Sequence, residues 1–156
     1  MDYQKGLIKK SSKDWQKGVL KSILALAKRY NKPVILHSRY AWRDSFTLVK
    51  EAVVEKATFH WYTGPINVLK DILRESYFVS ATLAAEYHEE HRRAIKEATL
   101  ENLLLETDSP VIYRGHQAEP ADVVRALNAV AELKGLPPSI VADKTTENAL
   151  RLYGIP

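Results

Sequence analysis

Four short apolar runs, beginning near residues 34, 57, 77 and 102, punctuate this chain of 156 residues, and the segments between them carry helical patterns. A strand pattern that returns every 20 to 25 residues after a helix is the mark of right-handed βαβ units. The chain is thereby confined to an α/β architecture with a parallel sheet. The first run, Val34-Ile35-Leu36-His37, follows Pro33 and is continuously apolar up to its histidine, as in strands covered on both faces. The others cover residues 57 to 61, 77 to 81 and 102 to 106.

Helical spacing fills the gaps. After Ser11 and Ser12, plausible caps, the residues Trp15, Val19, Leu20, Ile23, Leu24, Ala27 and Tyr30 fall on one face of a helix closing near Asn31. Phe46, Val49, Ala52 and Val53 mark a second helix. Pro65 stands as the first residue of a third, with Ile66, Leu69, Ile72 and Leu73 behind it. Residues 86 to 98 read as a charged helix, residues 120 to 134 as a long one opened by Pro120 and stopped by Gly135, and residues 146 to 153 as the last. Pro137-Pro138 reads as a turn. No linker divides the chain, so residues 1–156 form a single domain.

Composition narrows the class further. With 46% hydrophobic and 27% charged residues and no cysteine, a chain of this length builds a core without disulfides, and collagenous or wholly disordered readings fall away. The longest uncharged stretch, residues 57 to 69, is too short to span a membrane and includes His60 and Asn67. No signal-type apolar segment opens the chain, and a cytoplasmic location is expected. The net charge of +4 is unevenly spread: residues 1–50 hold 12 basic and 3 acidic side chains, a balance of +9, and the remainder balances at −5. Such a basic front attracts phosphate-bearing ligands, unless it is simply a solvated lysine face.

In parallel α/β sheets, ligands bind beyond the carboxyl ends of the strands. His37 closes the first run, His60 lies in the second near its end, and Asp108 follows the fourth, at intervals of one and two βα units. This spacing would bring all three to one rim. Two imidazoles and a carboxylate suit a divalent ion such as zinc or manganese; the alternative is three strand-end residues bonded to neighbouring loops. His88 and His91 lie among charges on one helix and are expected on a solvated surface. His116 sits in the loop Tyr113-Arg114-Gly115-His116, which is equally a plain turn. There is no glycine-rich nucleotide motif and no Gly-x-Ser-x-Gly elbow.

Four segments in order carry a resemblance: residues 33 to 39 (Pro-Val-Ile-Leu-His-Ser-Arg), 59 to 64 (Phe-His-Trp-Tyr-Thr-Gly), 104 to 110 (Leu-Leu-Glu-Thr-Asp-Ser-Pro) and 145 to 149 (Thr-Thr-Glu-Asn-Ala). Together they resemble the TatD-like metal-dependent deoxyribonucleases, whose fold is of the amidohydrolase TIM-barrel type with a two-metal centre that hydrolyses phosphodiester bonds. The resemblance implies that His37 and His60 bind one divalent metal ion (Zn, Mg or Mn). It implies that Asp108 binds another while activating water, and that Arg39, Arg114 and Glu119 face the substrate. Trp61-Tyr62 stands where the family has Cys-Phe, Ser109 replaces a small residue before the proline, and Ala118 replaces an expected Asn.

The His-x-His pair and bridging Glu of the family are missing from this chain. Its opening Met1-Asp2-Tyr3 resembles the residues that follow that Glu. The expectation is therefore an incomplete, truncated barrel, strands five to eight, with open edges and an exposed inner face among Ile35, Phe59 and Leu104. Such a chain would self-associate or dock onto a front half made elsewhere, and its own hydrolase activity, on DNA or a small phosphoester, would depend on that partner. The alternative is a non-catalytic half-barrel binding nucleic acid or a protein through Lys9, Lys10, Lys13, Lys17 and Lys21.

Overall fold

The computed structural model of the chain describes residues 1–9 and 11–156; Lys10 of the basic segment lies outside the described residues. A short turn, α1 (Lys5–Ile8), precedes α2 (Lys13–Arg29), which begins where Ser12 Oγ accepts the Trp15 N–H at 3.2 Å. Then β1 (Val34–Leu36), α3 (Trp42–Glu51), β2 (Ala57–Phe59), α4 (Ile66–Arg74), β3 (Phe78–Ala81), α5 (Glu89–Glu97) and β4 (Leu103–Leu105) follow. The four strands form one parallel sheet in the order β1-β2-β3-β4, as the alternation requires.

Alternation along each strand sorts the side chains onto two faces. Leu36, Phe59, Val79 and Leu103 point to the helices and join Leu24, Phe46, Val49, Leu69, Ile72, Ile95 and Val130 in the main core. Each such aliphatic or aromatic burial is worth about 1.5–3 kcal/mol, so the helix-side face stabilises the sheet. The opposite face carries Ile35, Thr58 and Phe78 at one level, His37, His60, Ser80 and Leu104 at the next, and Glu106 one step further toward the carboxyl ends.

The second half closes with a two-residue hairpin and two helices. Strands β5 (Ile112–Tyr113) and β6 (His116–Gln117) pair antiparallel across Arg114 and Gly115, whose φ values of 50° and 88° are those of a type I′ turn. Pro120 opens only a 3₁₀ turn, Pro120–Asp122, before α6 (Val123–Lys134), which stops at Gly135 in left-handed backbone. The last helix, α7 (Pro138–Tyr153), is twice the expected length because Pro137 and Pro138 start it instead of forming a turn. Asn148 on α7 donates from Nδ2 to the carbonyls of Leu100 and Leu103, both at 2.8 Å, tying the helix to β4.

Several expectations are corrected. Pro65 caps α4 from extended backbone and is not its first residue. On α2 only Leu24 and Ala27 are buried; Trp15, Val19, Ile23, Leu26 and Tyr30 form an exposed stripe. Of the inner-face trio, Ile35 is exposed, but Phe59 lies on the helix side and Leu104 is covered by Leu152 of α7. His91 is fully buried, because α5 turns it inward. Its Nδ1 donates to the Tyr62 carbonyl at 2.9 Å and its Nε2 accepts the Thr82 N–H at 3.2 Å.

Candidate metal centre

The register Leu36↔Phe59 and Phe59↔Val79 places His37, His60 and Ser80 side by side one residue further along. His37 Nδ1 faces His60 Nε2 at 3.2 Å. The outer nitrogens are engaged elsewhere: His60 Nδ1 lies 3.1 Å from Glu106 Oε1, and His37 Nε2 lies 3.0 Å from Asp2 Oδ2. Ser80 Oγ donates to the same Glu106 oxygen at 2.7 Å and accepts the Trp61 N–H at 3.1 Å. Asp2 also receives Arg39 Nε at 2.9 Å, and the Tyr3 N–H bonded to the Arg39 carbonyl holds this segment against the exit of β1. A row of polar contacts thus runs from Asp2 through both histidines and Glu106 to Ser80.

The electrostatics follow from these contacts. Burial opposes charge on His60, but the Glu106 hydrogen bond and the charges of Glu106 and Asp108 outweigh it and raise the imidazole pKa above its ordinary value. Burial would also lift Asp2, yet Arg39, the Gln4 N–H and His37 hold its carboxyl at about 2. Asp108 moves the other way: burial, with repulsion from Glu106, raises its pKa against the pull of His60 and His37. Its backbone is left-handed, φ 53°, a strained state that costs about 1–3 kcal/mol.

Two carboxylates accepting from the outer nitrogens leave two inward lone pairs facing each other, which repel unless a proton or a cation sits between them. A tetrahedral ion with bonds of about 2.1 Å spaces two imidazole nitrogens about 3.4 Å apart. Carboxylates on the far side of liganding imidazoles are the usual supporting shell. The pair therefore fits one ion. Among the described residues, no group of three or more His, Cys, Asp or Glu side chains is gathered tightly enough to close a ligand set.

An open cleft of about 490 Å³ lies over the pair, lined by His37, Arg39, Tyr40, Trp42, His60 and Trp61 among others. Asp108, Arg114 and Glu119 are not part of its lining. Arg114 stacks its guanidinium on the Tyr87 ring, 4.0 Å from its centre, and Glu119 caps the 3₁₀ turn in a capping box with Asp122. Asp2, Glu106 and Ser80 were missed by sequence reading. Glu106 and Ser80 were findable, since strand alternation puts them on the histidine face; Asp2 arrives from another segment and carried no such signal.

A parallel βα sheet with an imidazole pair and carboxylates at its carboxyl rim defines the class of metal-hydrolase-like α/β proteins. The chain belongs to the TatD related DNase family, whose profile matches residues 1–154. It is 34% identical to the uncharacterized metal-dependent hydrolase YabD of Bacillus subtilis, over 94% of this chain and 60% of that protein. It is likewise 34% identical to human deoxyribonuclease TATDN3, over 90% of this chain and 52% of that one. The crystal structure of the Escherichia coli TatD homologue YJJV superposes with a TM-score of 0.78 at 27% identity, covering 85% of this chain and 54% of that one. The chain spans half to three fifths of the length of these relatives. No helix of the described residues is long and apolar enough to cross a membrane.

Proposed function

We propose that the chain is the rear portion, strands five to eight, of a metal-dependent hydrolase barrel that cleaves phosphodiester bonds of a DNA-like substrate. The observation that carries this reading is the facing of His37 Nδ1 and His60 Nε2 at 3.2 Å with both outer nitrogens on carboxylates. His37 and His60 hold a divalent ion, and Glu106 and Asp2 fix their tautomers and ring planes. When bound, the ion supplies Lewis-acid polarisation of a phosphoryl oxygen. Asp108 takes a proton from the attacking water. Arg39 stands at the cleft wall to meet a substrate phosphate. Relatives named as metal-dependent hydrolases and a deoxyribonuclease support the assignment.

Two imidazoles with a separate carboxylate make a weak site, so full turnover depends on ligands from elsewhere. Hydrolysis of bis(p-nitrophenyl) phosphate and of DNA, assayed with manganese, zinc or magnesium, tests the reading. Metal-dependent turnover that chelation, His60→Ala and Asp108→Ala each abolish supports it. Turnover indifferent to these changes sinks it.

A second reading rests on α2, whose exposed stripe lies beside exposed Lys13 and Lys21 and is left uncovered among the described residues. In it, this face binds a second copy of the chain or another protein, with nucleic acid drawn by the lysines. Lys17 serves this less well, since it already pairs with Asp44 at 2.8 Å.

A further inference from the structure

Two aromatic arms line the cleft with the imidazole pair, and each stands on a buried tyrosine. In one, Tyr40 meets Trp42 edge-on, ring centres 5.5 Å apart, and Trp42 rests on Tyr62 at 6.4 Å. Tyr62 is fully buried and donates its hydroxyl to the Pro65 carbonyl at 2.8 Å. Gly64 makes the support possible: a Cβ there would lie 2.6 Å from Trp42 Cγ. In the other, Trp61 packs on buried Tyr113 with ring centres 5.3 Å apart.

Both arms are placed by strained backbone. Tyr40 and Trp61 have φ values of 57° and 42°, left-handed backbone that bulky residues rarely adopt. Tyr40 nevertheless keeps 61% of its surface exposed. Ring faces beside a phosphate-directed site are the means by which proteins bind single strands, since every base offers a π-face whatever its sequence.

We propose that Tyr40 and Trp61 form a stacking platform for a nucleobase of a single-stranded nucleic acid, seating the adjoining phosphodiester over His37 and His60. The proposal rests on the phosphodiester reading and adds what selects the substrate. It implies weak sequence preference and discrimination against phosphoesters that lack a base.

Binding measured by fluorescence anisotropy, with chelator present so that no turnover intervenes, tests it. The probes are labelled hexathymidylate and a hexamer of abasic units with the same phosphates. Hexathymidylate is expected to bind at least about tenfold tighter. Tyr40→Ala is expected to erase most of that advantage without weakening the abasic oligomer, and Tyr40→Phe to restore it. Because Trp61→Ala also removes packing on Tyr113, the exposed Tyr40 carries the decision. Equal affinity for the two oligomers, equal loss of both in Tyr40→Ala, or no binding of either overturns the platform. Manganese binding, measured by calorimetry, separates the two readings: metal binding without base selectivity overturns only the platform, and base selectivity in a chain that binds no manganese overturns only the hydrolase assignment.

Discussion

His37 and His60 turn nitrogen to nitrogen across adjacent strands, 3.2 Å apart, and each is braced from behind by a carboxylate, Asp2 for one and Glu106 for the other. Supporting partners of this kind are worth about 10–100-fold in metal affinity. Glu106→Gln is therefore expected to weaken manganese or zinc binding by about that factor, and His60→Ala to weaken it further, in isothermal titration calorimetry. Unchanged affinity in both variants would remove the pair as a metal site.

His91 makes stability depend on pH. Burial pushes its imidazole down to about 4, below the 6.5 of an unfolded histidine. Between these values the unfolded chain takes up a proton that the folded chain refuses. This contribution is complete above about pH 6.5 and is lost as pH falls toward 4, by about 3 kcal/mol. Urea unfolding of the wild type should lose this increment between pH 7 and 4, and His91→Gln should lose less over the same interval. An NMR titration showing His91 protonated by pH 6 would contradict the assignment.

Gly64→Ala should destabilise the fold by crowding the aromatic stack. The new Cβ would meet Trp42 Cγ and the Tyr62 hydroxyl, each at 2.6 Å, in a crowded aromatic stack. Overpacking of this kind costs about 1–3 kcal/mol, read as a lower urea midpoint at constant slope. A midpoint equal to wild type would show that Trp42 moves freely.

The α2 stripe predicts concentration-dependent mass. Trp15, Ile23, Leu26 and Tyr30 each keep half or more of their surface in water, a pattern that marks an interaction face. Sedimentation equilibrium should show association at tens of micromolar that Ile23→Asp with Leu26→Asp suppresses. A wild type that stays monomeric would dismiss the second-copy reading.

Periodicity carried the βαβ order, the parallel sheet and the four strand positions, because a two-residue alternation and a 3.6-residue repeat are written directly in apolar spacing. It also carried His37 and His60 to one rim, since equivalent strand ends share an edge of the sheet. It misjudged faces where the count of apolar residues exceeds what one neighbour can cover. Trp15, Ile23 and Tyr30 fit the helical repeat as well as Leu24 does, yet of these four only Leu24 is buried in the core. His91 shows the reverse error, buried amid five charged neighbours because its ring fills the space between Tyr62 and Thr82.

By itself the sequence determined the element order, the α/β class and the strand ends on which the polar residues sit, all of them local in origin. Tertiary structure alone decided that Asp2 braces His37, that Glu106 serves both His60 and Ser80, and that Tyr40 and Trp61 line the cleft. The hydrogen bonds among them join residues 26 to 46 positions apart. Hydrogen-bond direction and ring contact depend on where side chains end in space, which no one-dimensional pattern encodes.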